Sequence, residues 1–497
     1  MSDLKINFLS NLGGNIWVAV IGLVSVPFYI QFLGVEAYGL IGFYSVMQSV
    51  FLILDLGFSA SVHREVARSV VSLHDYKIAS LVRTLEYIYW IIGIILGLSI
   101  IFFSSLIGEH FLESTLPRTT LVNSIRLMGV LIVFRWPVAI YMGGLFGLQK
   151  QVQFQIVNSL AETVKAVGAI LIFKNIKADV QYFYYWQIVV SAFSICILFY
   201  LFWRNFPAKY RIFDPRSIKS IWRFSFGVSG ITLVSILLSQ MDKIILAKVL
   251  TLTNFSYYML AYSVSSALSR LSSPVAQSFY PRFVQGVASG NQEELSSLYH
   301  KSSQLMALMV IPASLVICLF AQDIMMLWTG SLETAIQTGP ILSLMIVGFA
   351  LNCLVTIPYH LQLAYGWTKL TFYQNVISLI ILAPVLYIFA REFGAVGAAV
   401  IWVTLNLGYV LISQQIMHRK ILRSEKLKWY WSDLFFPALI GLAIVLSARF
   451  LLTLGSDRWL NLFVLFSVFL LTGAAILMSV RLPRQAFLTF FRKKVLS

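Results

Sequence analysis

The feature that most constrains this chain is a succession of apolar runs, each about as long as a bilayer is thick. Spanning hydrocarbon takes about 20 predominantly apolar residues in a helix. Such runs fall near residues 9–33, 38–60, 85–106, 121–145, 154–174, 181–203, 222–247, 254–278, 301–328, 337–363, 369–391, 394–417, 433–453 and 460–480. The expected class is therefore an all-α polytopic membrane protein with about fourteen transmembrane helices. Composition agrees: 59% of residues are hydrophobic and 11% charged, against about 25% charged in soluble domains.

A net charge of +17 raises the question of nucleic acid, and its distribution answers it. About 25 Lys and Arg fall in alternate loops and the two tails, about 7 in the other loops, and five inside the apolar runs. That asymmetry orients a membrane protein by the positive-inside rule, so no nucleic-acid partner is expected. An even number of spans puts both termini on one side. "RNFPAKYRIFDPRSIKSIWR" (204–223), "HRKILRSEKLK" (418–428) and the tail from Arg481 make that side the cytoplasm. No cleavable signal peptide is expected, because the start runs directly into a full-length span. Cys196, Cys318 and Cys353 lie in apolar runs at no metal spacing and read as small core residues. "HREVARSV" has Glu65 and the second His position wrong for a zinc helix. No metal and no cofactor are expected.

The chain repeats itself. "GLQKQVQFQIVNSL" (147–160) and "GWTKLTFYQNVISL" (366–379) share Gly, Lys, Gln, Val, Ser and Leu in register, 219 residues apart. Tyr44-Ser45-Val46 returns as Tyr262-Ser263-Val264 and Arg64 as Arg282, at offset 218. Six spans with their loops occupy about that length. The expected organisation is an N-terminal six-helix lobe (1–210), a second six-helix lobe (211–418), and two additional helices with a basic tail (419–497). Two copies in the same orientation would surround a central cavity, where transporters of this plan hold substrate.

Polar residues recur at helical spacing inside the runs. Ser45, Gln48, Asp55 and Ser59 share one face if the second run is a regular helix. Ser263, Ser266, Arg270, Ser273 and Gln277 do so in the eighth. Asn7, Asn11 and Asn15 line the first run, and Ser225, Ser229, Thr232, Ser235, Ser239 and Asp242 the seventh. Lipid penalises such faces, so they either pack through small polar residues or line a wet cavity. Cavity-lining candidates are Asn11, Asn15, Gln48, Ser266, Ser273 and Gln277.

Charges at membrane depth are functional candidates by default. The cations Arg135, Lys165, Lys243 and Arg270 are candidates for substrate binding, and Asp55, Glu162 and Asp242 for ion coupling. The alternative is structural pairing: Glu162 and Lys165 lie one turn apart and could neutralise each other. Asp242 and Lys243, as neighbours, point about 100° apart on a helix. Arg126 and Arg135 fall on opposite faces unless Pro137 bends their helix.

"FLGVEAYGLIGFYSVMQSVFLILDLGFSASVHREVAR" (32–68) resembles the opening of the polysaccharide-unit flippases of the O-antigen translocase type. These belong to the multidrug/oligosaccharidyl-lipid/polysaccharide exporter superfamily. Leu33-Gly34, Tyr38-Gly39, Asp55-Leu56-Gly57 and Arg64 carry the likeness, with Asp242 and Tyr258 in the second half. There Thr251, Leu252 and Thr253 replace the glycine-rich turn. The resemblance implies a flippase, not an enzyme, in the bacterial inner membrane. Its substrate would be an oligosaccharide repeat unit on undecaprenyl pyrophosphate, moved from the cytoplasmic to the periplasmic leaflet by alternating access. An H+ or Na+ gradient would drive it. Polysaccharide polymerase and chain-length proteins would be further partners. Buried cations suit a pyrophosphate.

Three alternatives remain. A multidrug cation antiporter of the same superfamily would want acidic or aromatic groups, whereas the surplus here is cationic. A peptidoglycan lipid-precursor flippase shares the mechanism. A membrane polysaccharide polymerase or ligase would need a sizeable outer loop with catalytic groups. The outer loops here are about 5–15 residues long and scatter only Glu36, Glu109, His110, Glu113 and Glu333.

Overall fold

A computed structural model describes residues 2–69, 76–206, 213, 222–452, 455 and 457–479. The 210/211 lobe boundary, most of the 204–223 basic segment and the tail from Arg481 lie outside the described residues. The helices are α1 (Ser2–Leu33), α2 (Val35–Phe51), α3 (Phe58–Ser69), α4 (Tyr76–Phe102), α5 (Arg118–Arg135), α6 (Val138–Gly147), α7 (Gln151–Asn175), α8 (Val180–Asn205) and α9 (Trp222–Val249). They continue as α10 (Leu252–Ser289), α11 (Gln292–Leu319), α12 (Ala321–Thr329), α13 (Leu332–Ala364), α14 (Lys369–Gly408), α15 (Gln414–Lys420), α16 (Phe436–Leu451) and α17 (Arg458–Ser479). No strand occurs among the described residues.

Eleven helical stretches among these residues are long and apolar enough to cross a membrane. One of them, Lys369–Lys420, is 52 residues long. It covers two expected runs, because Gly394 takes a non-helical φ of 59° and bends α14 there. Neither α9 nor α10 is among the eleven. The count of fourteen crossings therefore rests on the sequence. The helical class is plain.

The second apolar run corrects an expectation. It is not one regular helix: α2 ends at Phe51, and Leu52–Asp55 form a 3₁₀ turn. Leu56 and Gly57 then take φ of 49° and 72°. Glycine tolerates that region, and its neighbour is drawn into it. Asp55 and Ser59 thus face each other across a break. Likewise α5 stops at Arg135, and Pro137, which has no N–H to give, heads α6. The eighth run stays continuous through Pro274 and Pro281 as α10.

A similar turn lies at each of the two matching stretches. Lys150 N–H donates to Leu145 O at 2.8 Å, and Trp367 N–H to Gln362 O at 3.0 Å. Both are six-to-one closures of a helix end around one left-handed residue. That residue is Gln149 in the first turn and Gly366 in the second, an offset of 217 where the letters match at 219.

The chain divides into two compact units, Met1–Ser256 and Tyr257–Ser497. In the first, α4 and α5 cross so closely that a Cβ on Gly129 would lie 2.7 Å from Gly97 O. Small residues give backbones this approach in lipid. Beside that crossing lies a core of Val62, Val66, Leu85, Tyr89, Trp136, Tyr141, Leu145 and Phe202. In the second unit, α11 packs on α13, α16 and α17, with Val316, Phe320, Val445, Leu465 and Val468 as one core. Asp179, Asn291 and Ser331 cap α8, α11 and α13 through their side-chain oxygens, each satisfying an otherwise unpaired N–H.

Candidate functional site

The first unit gathers three of the expected charges. Arg135 Nη1 donates to Glu162 Oε1 at 2.9 Å, and Lys165 Nζ donates to the same oxygen at 3.0 Å. Glu162 and Lys165 are one turn apart on α7; Arg135 reaches them from the end of α5. The expected Glu162–Lys165 neutralisation is therefore incomplete, because one carboxylate serves two cations and a formal charge of +1 remains. Lys165 is 4% exposed, while Arg135 and Glu162 are about a quarter exposed. The cluster is accessible on the Arg135 side. The Tyr44 hydroxyl is buried beside Arg135 at the edge of this cluster. Arg126 is separate, bonded to Ser104 Oγ and Asn123 Oδ1.

The polar face of α7 continues toward α1. Gln155 Nε2 donates to Asn11 Oδ1 at 3.2 Å, Asn7 Nδ2 to Gln149 O at 3.2 Å, and Trp17 Nε1 to Thr163 Oγ1 at 2.9 Å. Of the α1 asparagines, Asn7 and Asn11 hold the two helices together, and Asn15 is exposed. Gln48 on α2 is half-buried.

Asp55 accepts hydrogen bonds from Tyr89 Oη and, at 2.9 Å, from Ser59 Oγ. Next to it lies a group that sequence reasoning missed. Glu86, 3% exposed, pairs with Arg83 and accepts from Tyr141 Oη at 2.6 Å and Trp203 Nε1 at 3.0 Å. The signal was available: Arg83 and Glu86 stand three apart where α4 enters its apolar run.

Asp242 and Lys243 pair despite their angular separation. The long lysine stem curls back, so Nζ lies 3.0 Å from Asp242 Oδ1 and 2.8 Å from Ser239 O. Both are buried. The side chains of Ser225, Ser229 and Thr232 lie outside those described. On α10, Arg270, Ser273 and Gln277 are exposed and Ser266 is half-buried. Gln277 Nε2 donates to Ser273 Oγ at 3.0 Å, and Ser266 bonds back to Ser263 O. Among the described residues Arg270 makes no ion pair.

The second unit holds another cluster unforeseen from sequence. His300 meets Asp433 and Glu425 through its two ring nitrogens, and Gln304 Nε2 donates to Asp433 Oδ1 at 2.8 Å. His300 and Gln304 stand four apart on α11, a spacing that could have flagged them. No group of three or more His, Cys, Asp or Glu among the described residues has an arrangement that could hold a metal ion.

Among the described residues, broken helices, no strand and charges on facing helices define a class, the polytopic helical membrane proteins. An inward-facing multidrug resistance MATE family transporter of the MOP superfamily matches with a TM-score of 0.68 at 15% identity, over 84% of this chain and 96% of its own. The lipid II flippase MurJ, in an inward closed conformation, matches with a TM-score of 0.67 at 13% identity, over 95% of this chain and 99% of its own. These likenesses establish the fold. The "Putative O-antigen transporter" of Shigella flexneri is 22% identical over 404 residues, 81% of this chain and 94% of that protein. The model of the polysaccharide biosynthesis protein family matches residues 4–287. The chain belongs to that family. It is a multi-pass membrane protein, and the relative and structural neighbours named here are transporters and flippases, not enzymes.

Proposed function

We propose that the protein moves undecaprenyl-pyrophosphate-linked oligosaccharide repeat units of an O-antigen or related surface polysaccharide from the cytoplasmic to the periplasmic leaflet, by alternating access. The observation that carries this reading is the Arg135–Glu162–Lys165 cluster, with two cations on one carboxylate at membrane depth. An uncompensated buried charge is costly, and a diphosphate is an anion that could offset it. Arginine can grip two phosphate oxygens at once. The exposed Arg270, Ser273 and Gln277 of α10 suit a hydrated path for sugars, to which Lys243 would add charge once released from Asp242. The Shigella flexneri relative is named for O-antigen transport, which favours this cargo over a drug cation; the surplus positive charge does the same.

Deleting the gene should abolish surface polysaccharide while lipid-linked repeat units accumulate inside. Normal surface polymer in the deletion would overturn the proposal. Rescue of a strain lacking its peptidoglycan precursor flippase would move the cargo to that lipid instead. The orientation proposed is N-in and C-in, in the inner membrane. Reporter fusions after Lys150 and Arg423 should read cytoplasm, and one near Glu113 periplasm. The 1–210 and 211–418 lobes, the additional helices and tail of 419–497, and polymerase and chain-length partners belong to the same proposal.

A further inference from the structure

His300 is fully buried, yet both ring nitrogens face carboxylates: Nδ1 meets Asp433 Oδ2, and Nε2 lies 2.8 Å from Glu425 Oε2. A neutral imidazole has one N–H to donate, and two ionised carboxylates can only accept. The double contact therefore calls for an imidazolium. The remaining partners are accounted for. Asp433 also accepts from Gln304 Nε2 and, at 3.2 Å, from Ser432 Oγ. Glu425 accepts from Lys428 Nζ and from Ser424 Oγ, both at 3.3 Å. Facing the group from α11 is Tyr299, and from α15 His418. Lys426, Lys428, Tyr430 and Asp433 come from the stretch that follows. His418 Nδ1–H donates to Gln414 O, and its Nε2 meets Tyr299 Oη at 3.2 Å, a hydroxyl that can satisfy a neutral ring. Carboxylates face both nitrogens of His300 and neither nitrogen of His418, so the labile proton is assigned to His300.

Removing that proton has a structural consequence. Two carboxylates would then share one N–H, and one would lose the charged imidazole donor and keep only its hydroxyl, amide or solvated lysine partner. Gln304 Oε1, buried without a partner among the described residues, is an acceptor and cannot replace it. Lys428 is 57% exposed, too solvated to compensate. Asp433 is 1% exposed, but Glu425 is 19% exposed, so solvent protons reach the ring through Glu425. The three residues come from separate segments: α11, the Arg423–Glu425 turn and the Trp429–Phe435 π-helical turn. That proton thus adds to the Tyr299–His418 and Gln304–Asp433 bonds in fastening the stretch Gln414–Phe435 to α11.

We propose that His300, Asp433 and Glu425 form a proton-binding site whose occupancy clamps Gln414–Phe435 onto α11, and that a proton enters the transport cycle here. The cyclic role rests on the transport reading above; the clamp does not. The first test is hydrogen–deuterium exchange on the purified full-length protein from about pH 5.5 to about pH 9, corrected for intrinsic exchange. Wild-type protection of Gln414–Phe435 should fall about tenfold or more as pH rises. His300→Gln should exchange fast throughout. Glu425→Gln, at the accessible rim and less prone to misfold, should keep the clamp but shift its pH response. Wild-type protection independent of pH, or an unchanged pH response in both variants, would overturn the site. The second test is movement of lipid-linked oligosaccharide in inverted vesicles at several pH values. An unaltered pH profile in His300→Gln would overturn the role in the cycle. A wild type that shows the clamp but moves no lipid-linked sugar would overturn the transport reading alone.

Discussion

If the letter repeat is carried forward, Arg135 falls on Cys353 at an offset of 218, and Glu162 on Ile381 and Lys165 on Pro384 at 219. In the first unit these positions hold a charged cluster on facing helices. In the second, Cys353 Sγ accepts a hydrogen bond from Ser272 Oγ at 3.2 Å, and no charge is present at the matching positions. The helical frame thus tolerates either solution. A charge that the sister position does without is not demanded by the frame, and its desolvation cost calls for a function. The second unit puts its buried charge elsewhere, around His300, where it joins segments of the additional helices to α11.

The comparison is most exposed at Arg135. Arg135→Ala should insert normally and reduce restoration of surface polysaccharide by more than about tenfold, a loss of about 1.4 kcal/mol or more in handling the anion. Arg135→Lys should recover part of it, since an ammonium supplies charge without the two-pronged grip. Full activity of Arg135→Ala would make the cluster structural, like its sister position. Glu162→Gln comes next. It leaves two cations without their carboxylate, and a fall of about 1–3 kcal/mol in stability is expected, read as Tm in detergent. Adding Arg135→Gln should restore most of that Tm. Failure to do so would mean the two do not act as a pair.

Arg270 should show a smaller, graded loss: Arg270→Ala impaired, Arg270→Lys partly active, with protein levels unchanged. Its sister residue is Leu52, so no repeated structural role requires it. Full activity of Arg270→Ala would remove α10 from the proposed path. Rescue by Arg270→Asp with Asp55→Arg or Asp242→Arg would instead mark it as a counter-ion. Asp55→Asn should cost less again: Tyr89 and Ser59 meet different carboxylate oxygens, so one hydroxyl keeps donating to the amide oxygen while the other can turn to accept from the amide N–H. A pH- and sodium-independent Asp55→Asn variant would remove it as a coupling group.

Much of this was legible in the sequence, for reasons tied to period and polarity. The apolar runs dictate the helices, and spacings of three and four put Gln155, Glu162 and Lys165 on one face of α7. What period cannot report is where a helix stops. The Leu56–Gly57 break turned Asp55 toward Tyr89, and the end of α5 at Arg135 let that side chain reach Glu162. Nor does angular position settle a contact when the side chain is long, as Lys243 curling back to Asp242 demonstrates. His300, Glu425 and Asp433 escaped for another reason: they are 125 and 133 residues apart, and no local pattern joins them.

The smallest expected effect is at Cys353. Its thiol lies within hydrogen-bond reach of Ser272 at 3.2 Å and of Ser269 at 3.7 Å, and sulfur is a weak acceptor. Cys353→Ala removes one buried atom, and Ser272 Oγ keeps its hydrogen bond to Ser269 O at 3.1 Å. The expected cost is about 1 kcal/mol or less, with transport unchanged. Cys353→Ser should be milder still, because the hydroxyl keeps the contact. If Cys353→Ala instead abolished surface polysaccharide at normal protein levels, as Arg135→Ala should, the position would matter whatever its charge. The contrast between the two units would then reflect packing at a shared helix crossing, and the case for a phosphate grip at Arg135 would have to rest on Lys165 and Arg270.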